Sequence, residues 1–152
     1  MEANEQEVLE FLSRSSKKNS NNHYDIKPIA GNDALMIANK LSKAGLIKDD
    51  IESDGTAVHC SISIDGIRAV DPAFVEGKTR DFLKSTGEAG SIWNVVDLLE
   101  GKPEQFQFCF DLANEMQNRD LVKLLYASFP QKIMVEMTLK GVVKKKQIAK
   151  TS

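Results

Sequence analysis

Shifted by 75 residues, this chain matches itself without a gap, and that internal repeat limits the possible fold more than any other feature. Ile37-Ala38-Asn39 falls on Leu112-Ala113-Asn114, and Leu46-Ile47-Lys48 falls on Leu121-Val122-Lys123. Lys27-Pro28 falls on Lys102-Pro103, and Gly66 on Gly141. Val58, Cys60, Ile62 and Ile64 fall on Ile133, Val135, Met137 and Leu139, so an apolar alternation of period two recurs in register. Six of the 30 positions from 37 to 66 are identical, where ordinary residue frequencies give about two. The 152 residues therefore read as two copies of one small unit. The competing reading is two unrelated helix-plus-hairpin pieces that align by chance.

Local patterns fill in the unit. Val8, Leu9, Phe11 and Leu12 predict a helix over 4–14, followed by a polar loop from Ser15 to Asn22. Ala34, Ile37, Ala38 and Leu41 predict a second helix that starts at Asn32-Asp33 and stops at Gly45. Asp54-Gly55 signals a hairpin turn ahead of the alternating strand. In the second copy, Ile92, Val95, Val96 and Leu99 predict a first helix opening at Ser91. Between the copies, Pro72 suits the start of a linker helix, and Gly87 to Gly90 a flexible break. The expected fold is α+β, with unit 1 at 1–70, a linker at 71–90, unit 2 at 91–146 and a basic polar tail at 147–152. Gly45 becomes Asp120 in the second copy, so that helix is expected to end differently.

The stretch Ala38-Asn39-Lys40-Leu41-Ser42-Lys43-Ala44-Gly45-Leu46-Ile47 resembles the end of a recognition helix in the winged helix-turn-helix superfamily. Ile62-Ser63-Ile64-Asp65-Gly66 resembles the last wing strand and its closing glycine. The resemblance implies tandem winged-helix units, each of helices plus a small antiparallel hairpin sheet. One departure is that Pro28 and Gly31 leave room for only about one turn where the first helix of the helix-turn-helix pair belongs.

Most chemistry is absent from the sequence. Apolar residues make up 41% and charged residues 28%, a globular balance, with a net charge of −2. Cys60 and Cys109 lie among apolar neighbours and read as reduced core thiols. No apolar run approaches the roughly 18 residues of a membrane span. Met1 to Glu5 is unlike a signal peptide, so a soluble cytoplasmic protein is expected. Pro72 to Thr79 comes near a phosphate loop, but lacks its first glycine and carries Glu76; it reads as a helix interrupted at Gly77. Ser15-x-x-Lys18 lies in a low-complexity stretch with no partner motif. His23 and His59 have no metal-spaced companions, and Asp49-Asp50 no apolar pocket. No enzyme, metal, cofactor or small-molecule substrate is expected.

Two uses remain. A winged helix by default binds duplex DNA, and the outward helix face would carry Asn32, Met36, Asn39, Lys40 and Lys43. Lys144, Lys145 and Lys146 would add phosphate contacts. Against this, Asp49, Asp50, Glu52 and Asp54 sit in the first wing. Residues 1–76 hold 8 Lys/Arg and 13 Asp/Glu, whereas residues 77–152 hold 12 and 9. In the second copy Asp111, Glu115 and Asn118 replace Met36, Lys40 and Lys43, and Leu124, Leu125, Tyr126 and Phe129 make its wing apolar. Those residues suit a protein partner, a homodimer contact or a contact between the units. The leading expectation is a DNA-binding regulator using the first copy, and the alternative is a tandem interaction or scaffold module without nucleic acid.

Overall fold

The alternating apolar segments form two small antiparallel sheets, one in each half of an α+β chain. The computed structural model describes residues 1–151. Unit 1, Met1–Val75, contains α1 (Ala3–Lys18), β1 (Tyr24–Asp25), α2 (Lys27–Ala30), a 3-10 turn at Gly31–Asp33, α3 (Ala34–Lys43), β2 (Glu52–Ser53), β3 (Val58–Cys60) and α4 (Ile64–Val70). The boundary falls within α5 (Pro72–Ser85). Unit 2 continues with β4 (Ile92–Asn94), α6 (Val95–Leu98), a 3-10 turn at Pro103–Gln105, α7 (Phe106–Asn118), β5 (Val122–Ser128), β6 (Lys132–Met137) and α8 (Leu139–Thr151). The strand orders are β1-β3-β2 and β4-β6-β5. Each unit is thus helix, strand, short helix, longer helix, hairpin, helix.

The same physical devices hold both units. Leu9, Leu12, Ile26, Ile37, Leu41 and Cys60 are buried in unit 1; Phe82, Val95, Leu112, Met116, Ile133 and Val135 are buried in unit 2. Each large apolar side chain withdrawn from water contributes about 1.5–3 kcal/mol. Asp25 Oδ1 accepts from the amides of Lys27 and Val58, and Asn94 Oδ1 accepts from those of Val96 and Ile133. One side chain in each unit therefore ties the start of the short helix to the hairpin, and Asn94 is also the N-cap of α6. These amide bonds hold the Asp25 carboxyl below its usual range. Ser63 and Thr138 repeat a second device. Their hydroxyls donate to the carbonyls of Gly45 and Asp120 and accept from the amides of Gly66 and Gly141.

Several sequence expectations need correction. The gapless register fails before residue 37. Tyr24 pairs with Cys60 as Trp93 pairs with Val135, so Lys27 takes the place of Val96 and not of Lys102. Ile92 lies in a strand, and the counterpart of α1 is α5, earlier assigned to a linker. Burial explains this: Glu5, Leu9, Leu12, Ser13 and Ser16 of α1 are buried, as are Val75, Thr79, Phe82, Leu83 and Thr86. Gly77 does not interrupt α5. Ser15 to Lys18 extends α1, where Ser16 is buried and its hydroxyl is satisfied by the Ser13 carbonyl. Ile64 and Leu139 start helices, since Ser63 and Thr138 satisfy the first-turn amides. The tail from 147 is helical through Thr151, while Ser152 lies outside the described residues. Gly45 (φ 76°) and Asp120 (φ 60°) both adopt the left-handed conformation, so α3 and α7 end alike. No described helix is long and apolar enough to cross a membrane.

Candidate interaction surfaces

The α3 surface follows from the burial of Ile37, Ala38 and Leu41 on the opposite face. Asn32, Asn39, Lys40 and Lys43 are all exposed there. Leu35 and Met36 share the face at 44% and 63% exposure, so it is half apolar. The Lys40 ammonium lies 2.7 Å from Oε1 of Glu5, a buried residue of α1. The Lys40 hydrogen bond is the main reason that the Glu5 carboxyl is held below its ordinary range, and Glu5 raises Lys40 in return. Lys40 is thereby committed to holding α3 against α1. Sequence reading missed this pair because nothing local marks a buried glutamate 35 positions from its lysine.

The β2–β3 hairpin beside this helix is short and acidic. Asp54 Oδ1 accepts from the Thr56 amide, the Thr56 hydroxyl and the Ala57 amide, which hold its pKa down to about 2. Asp50 Oδ2 lies 2.7 Å from His23 Nε2. Asp54, so held by Thr56 and Ala57, stays charged near neutral pH and repels phosphate.

The α7 surface of unit 2 carries Asp111 and Glu115 where α3 carries Met36 and Lys40. The β5–β6 hairpin is longer than its counterpart. Leu124 is half-buried opposite Val135, whereas Leu125, Tyr126 and Phe129 are 39%, 53% and 64% exposed. A bulge between Leu124 and Tyr126 turns Leu125 out of register. Gln117 Oε1 accepts the Leu124 amide, which blocks one outward position of this edge strand. The available surface is therefore made of side chains. Phe129 meets Phe106 edge-on at 5.2 Å, and Phe106 stacks near Phe110 at 6.3 Å. The four-residue spacing of Phe106 and Phe110 was the overlooked signal for that support.

The lysines of α8 do not form one patch, because successive helical residues turn by about 100°. Lys145 donates to the Thr86 carbonyl, Lys146 is exposed, and Lys144 lines a groove with Arg119, Leu121, Lys140, Val143 and Gln147. These lysines and those of α3 belong to different units. Both thiols are free and buried; burial pushes Cys60 up to about 12 and Cys109 to about 11. Among the described residues no three His, Cys, Asp or Glu side chains are grouped to hold a metal. Comparison with family models, curated proteins and solved structures finds no match for this chain.

Proposed function

We propose that this chain is a non-catalytic pair of winged-helix units acting as a protein-interaction module, with the β5–β6 wing as the contact surface. The repeated element order and the outer-first strand order support the winged-helix reading. The single observation that carries the functional reading is the exposure of Leu125, Tyr126 and Phe129 together on that wing. Exposed apolar groups of this size cost solubility and gain only when covered. Aromatic side chains on a braced hairpin also lose little entropy on docking, which suits them as anchors. The apolar surface of another protein, a second copy included, fits this chemistry.

Duplex DNA is the second reading. It retains Asn32, Asn39 and Lys43 on α3, but Lys40 is tied to Glu5 and the adjacent wing is acidic. The deciding experiment uses the double variant Leu125→Asp/Tyr126→Asp, because Phe129 also braces Phe106. With its circular dichroism and melting unchanged, the variant should lose at least tenfold of the wild type's self-association or of its stoichiometric co-purifying partner. Equal association by wild type and variant would refute the wing as the contact. Salt-sensitive duplex binding that Lys43→Glu weakens would instead establish the DNA reading.

A further inference from the structure

We propose that the groove between the end of α7 and helix α8 is a second binding site, separate from the wing, for an acidic amphipathic segment of a partner protein. It is lined by Arg119, Lys140 and Lys144 together with Leu121, Val143 and Gln147. Its volume of about 390 Å³ lies in the range of ligand pockets, about 300–1,000 Å³. Lys140 and Lys144 stand one turn apart on α8 and form no ion pair among the described residues, while Arg119 reaches Glu115 only at 3.9 Å. Three cations thus converge with little countercharge. Beside them, Leu139 and Val143 are 73% and 48% exposed, again one turn apart. Cations alone suit any anion. Cations flanking an exposed apolar stripe suit carboxylates flanking apolar anchors, the pattern of an acidic amphipathic helix laid in a groove.

The repeat supplies an internal control. At the positions of Arg119, Lys140, Val143 and Lys144, unit 1 has Ala44, Asp65, Arg68 and Ala69. There Arg68 is satisfied by Asp65 at 2.8 Å, and no convergent positive charge exists. The shared scaffold therefore folds without these cations, and their presence in unit 2 answers no packing need. The site also lies at the far end of the hairpin from the wing tip. Val122 pairs with Met137 at the base and Ser128 with Lys132 at the tip; strand rise separates these ends by about 20 Å. Binding here stands or falls independently of the wing.

The test is fluorescence anisotropy of the full chain with a labelled helical peptide bearing leucines one turn apart, flanked by glutamates. Wild type should bind it, and Lys140→Asp/Lys144→Ala should weaken binding at least tenfold. These substitutions install the residues that unit 1 already accommodates; Lys140→Gln/Lys144→Gln is the second variant should the first melt early. Replacing the peptide's leucines with serine should also weaken binding at least tenfold, and Leu125→Asp/Tyr126→Asp should leave it unchanged. No binding by wild type would overturn the proposal. So would equal affinity for poly-glutamate, or tighter lysine-dependent binding of duplex DNA, which would mark a mere anion surface or a nucleic-acid site.

Discussion

The same chemical change, glycine to alanine, should destabilise each unit at one position and stabilise the chain at another. A Cβ added at Gly66 would lie 1.9 Å from the Leu46 carbonyl oxygen and 2.6 Å from Ile62 Cγ1; at Gly141 it would lie 2.1 Å from the Leu121 oxygen. A backbone oxygen cannot rotate aside, so α4 or α8 must retreat by about 1 Å to reach ordinary contact. Overpacking of this kind costs about 1–3 kcal/mol. The struck carbonyls also accept the amides of Ser63 and Thr138, so weakening those bonds adds about 1 kcal/mol. Alanine's better helix propensity returns about 1 kcal/mol. The net loss is about 1–3 kcal/mol, a drop in melting temperature of about 5–20 °C for a unit of this size. At Gly77, inside α5, an added Cβ meets nothing within 4 Å, so alanine should gain about 1 kcal/mol, or roughly 5 °C. Trp93, the single tryptophan, lies in unit 2 and reports Gly141→Ala and Gly77→Ala by fluorescence; amide exchange in unit 1 reports Gly66→Ala. Melting of Gly66→Ala or Gly141→Ala within about 3 °C of wild type would refute the close-packing argument.

Two further outcomes follow from single residues. Asp120 holds φ 60° where unit 1 uses Gly45, so Asp120→Gly should stabilise unit 2 by about 1 kcal/mol in urea denaturation, and a loss of stability would contradict the left-handed helix end. Asp54, held at about 2 by three hydrogen bonds from Thr56 and Ala57, should stabilise the β2–β3 turn above its unfolded pKa of 3.8, and that contribution should fade as pH falls through about 2. Carbon-detected NMR should place its titration midpoint near 2; a midpoint near 4 would remove the proposed turn geometry.

The second half of each unit was legible because its determinants are local. Ile37, Ala38 and Leu41 repeat at helical spacing, as do Leu112, Ala113 and Met116, and all are buried. Gly66 and Gly141 coincide because both approach a backbone carbonyl. The first half was misread because packing there fixes buried positions and leaves residue types open. Leu9 and Ser13 correspond to Thr79 and Leu83, pairs with no shared chemistry, and only Ser16 and Thr86 keep one, a buried hydroxyl bonded to the carbonyl three residues back. The apolar wing could be read from its composition. The Phe106–Phe110 spacing hinted at its brace, but the contact of Phe106 with Phe129 and the groove at Val143 could not be read, because both join elements distant in sequence.

By itself, then, the sequence determined that one helix-plus-hairpin scaffold occurs twice, since periodicity, turn residues and close-approach glycines are properties of neighbours along the chain. Tertiary structure decided which side chains remain available. Lys40 is exposed in pattern but held by Glu5, and Lys145 is basic in pattern but bonded to Thr86. Lys140 and Lys144, by contrast, face a groove with no countercharge of their own. A charge's partner is set by distance in space, and the chain order carries no record of that distance until the helices pack.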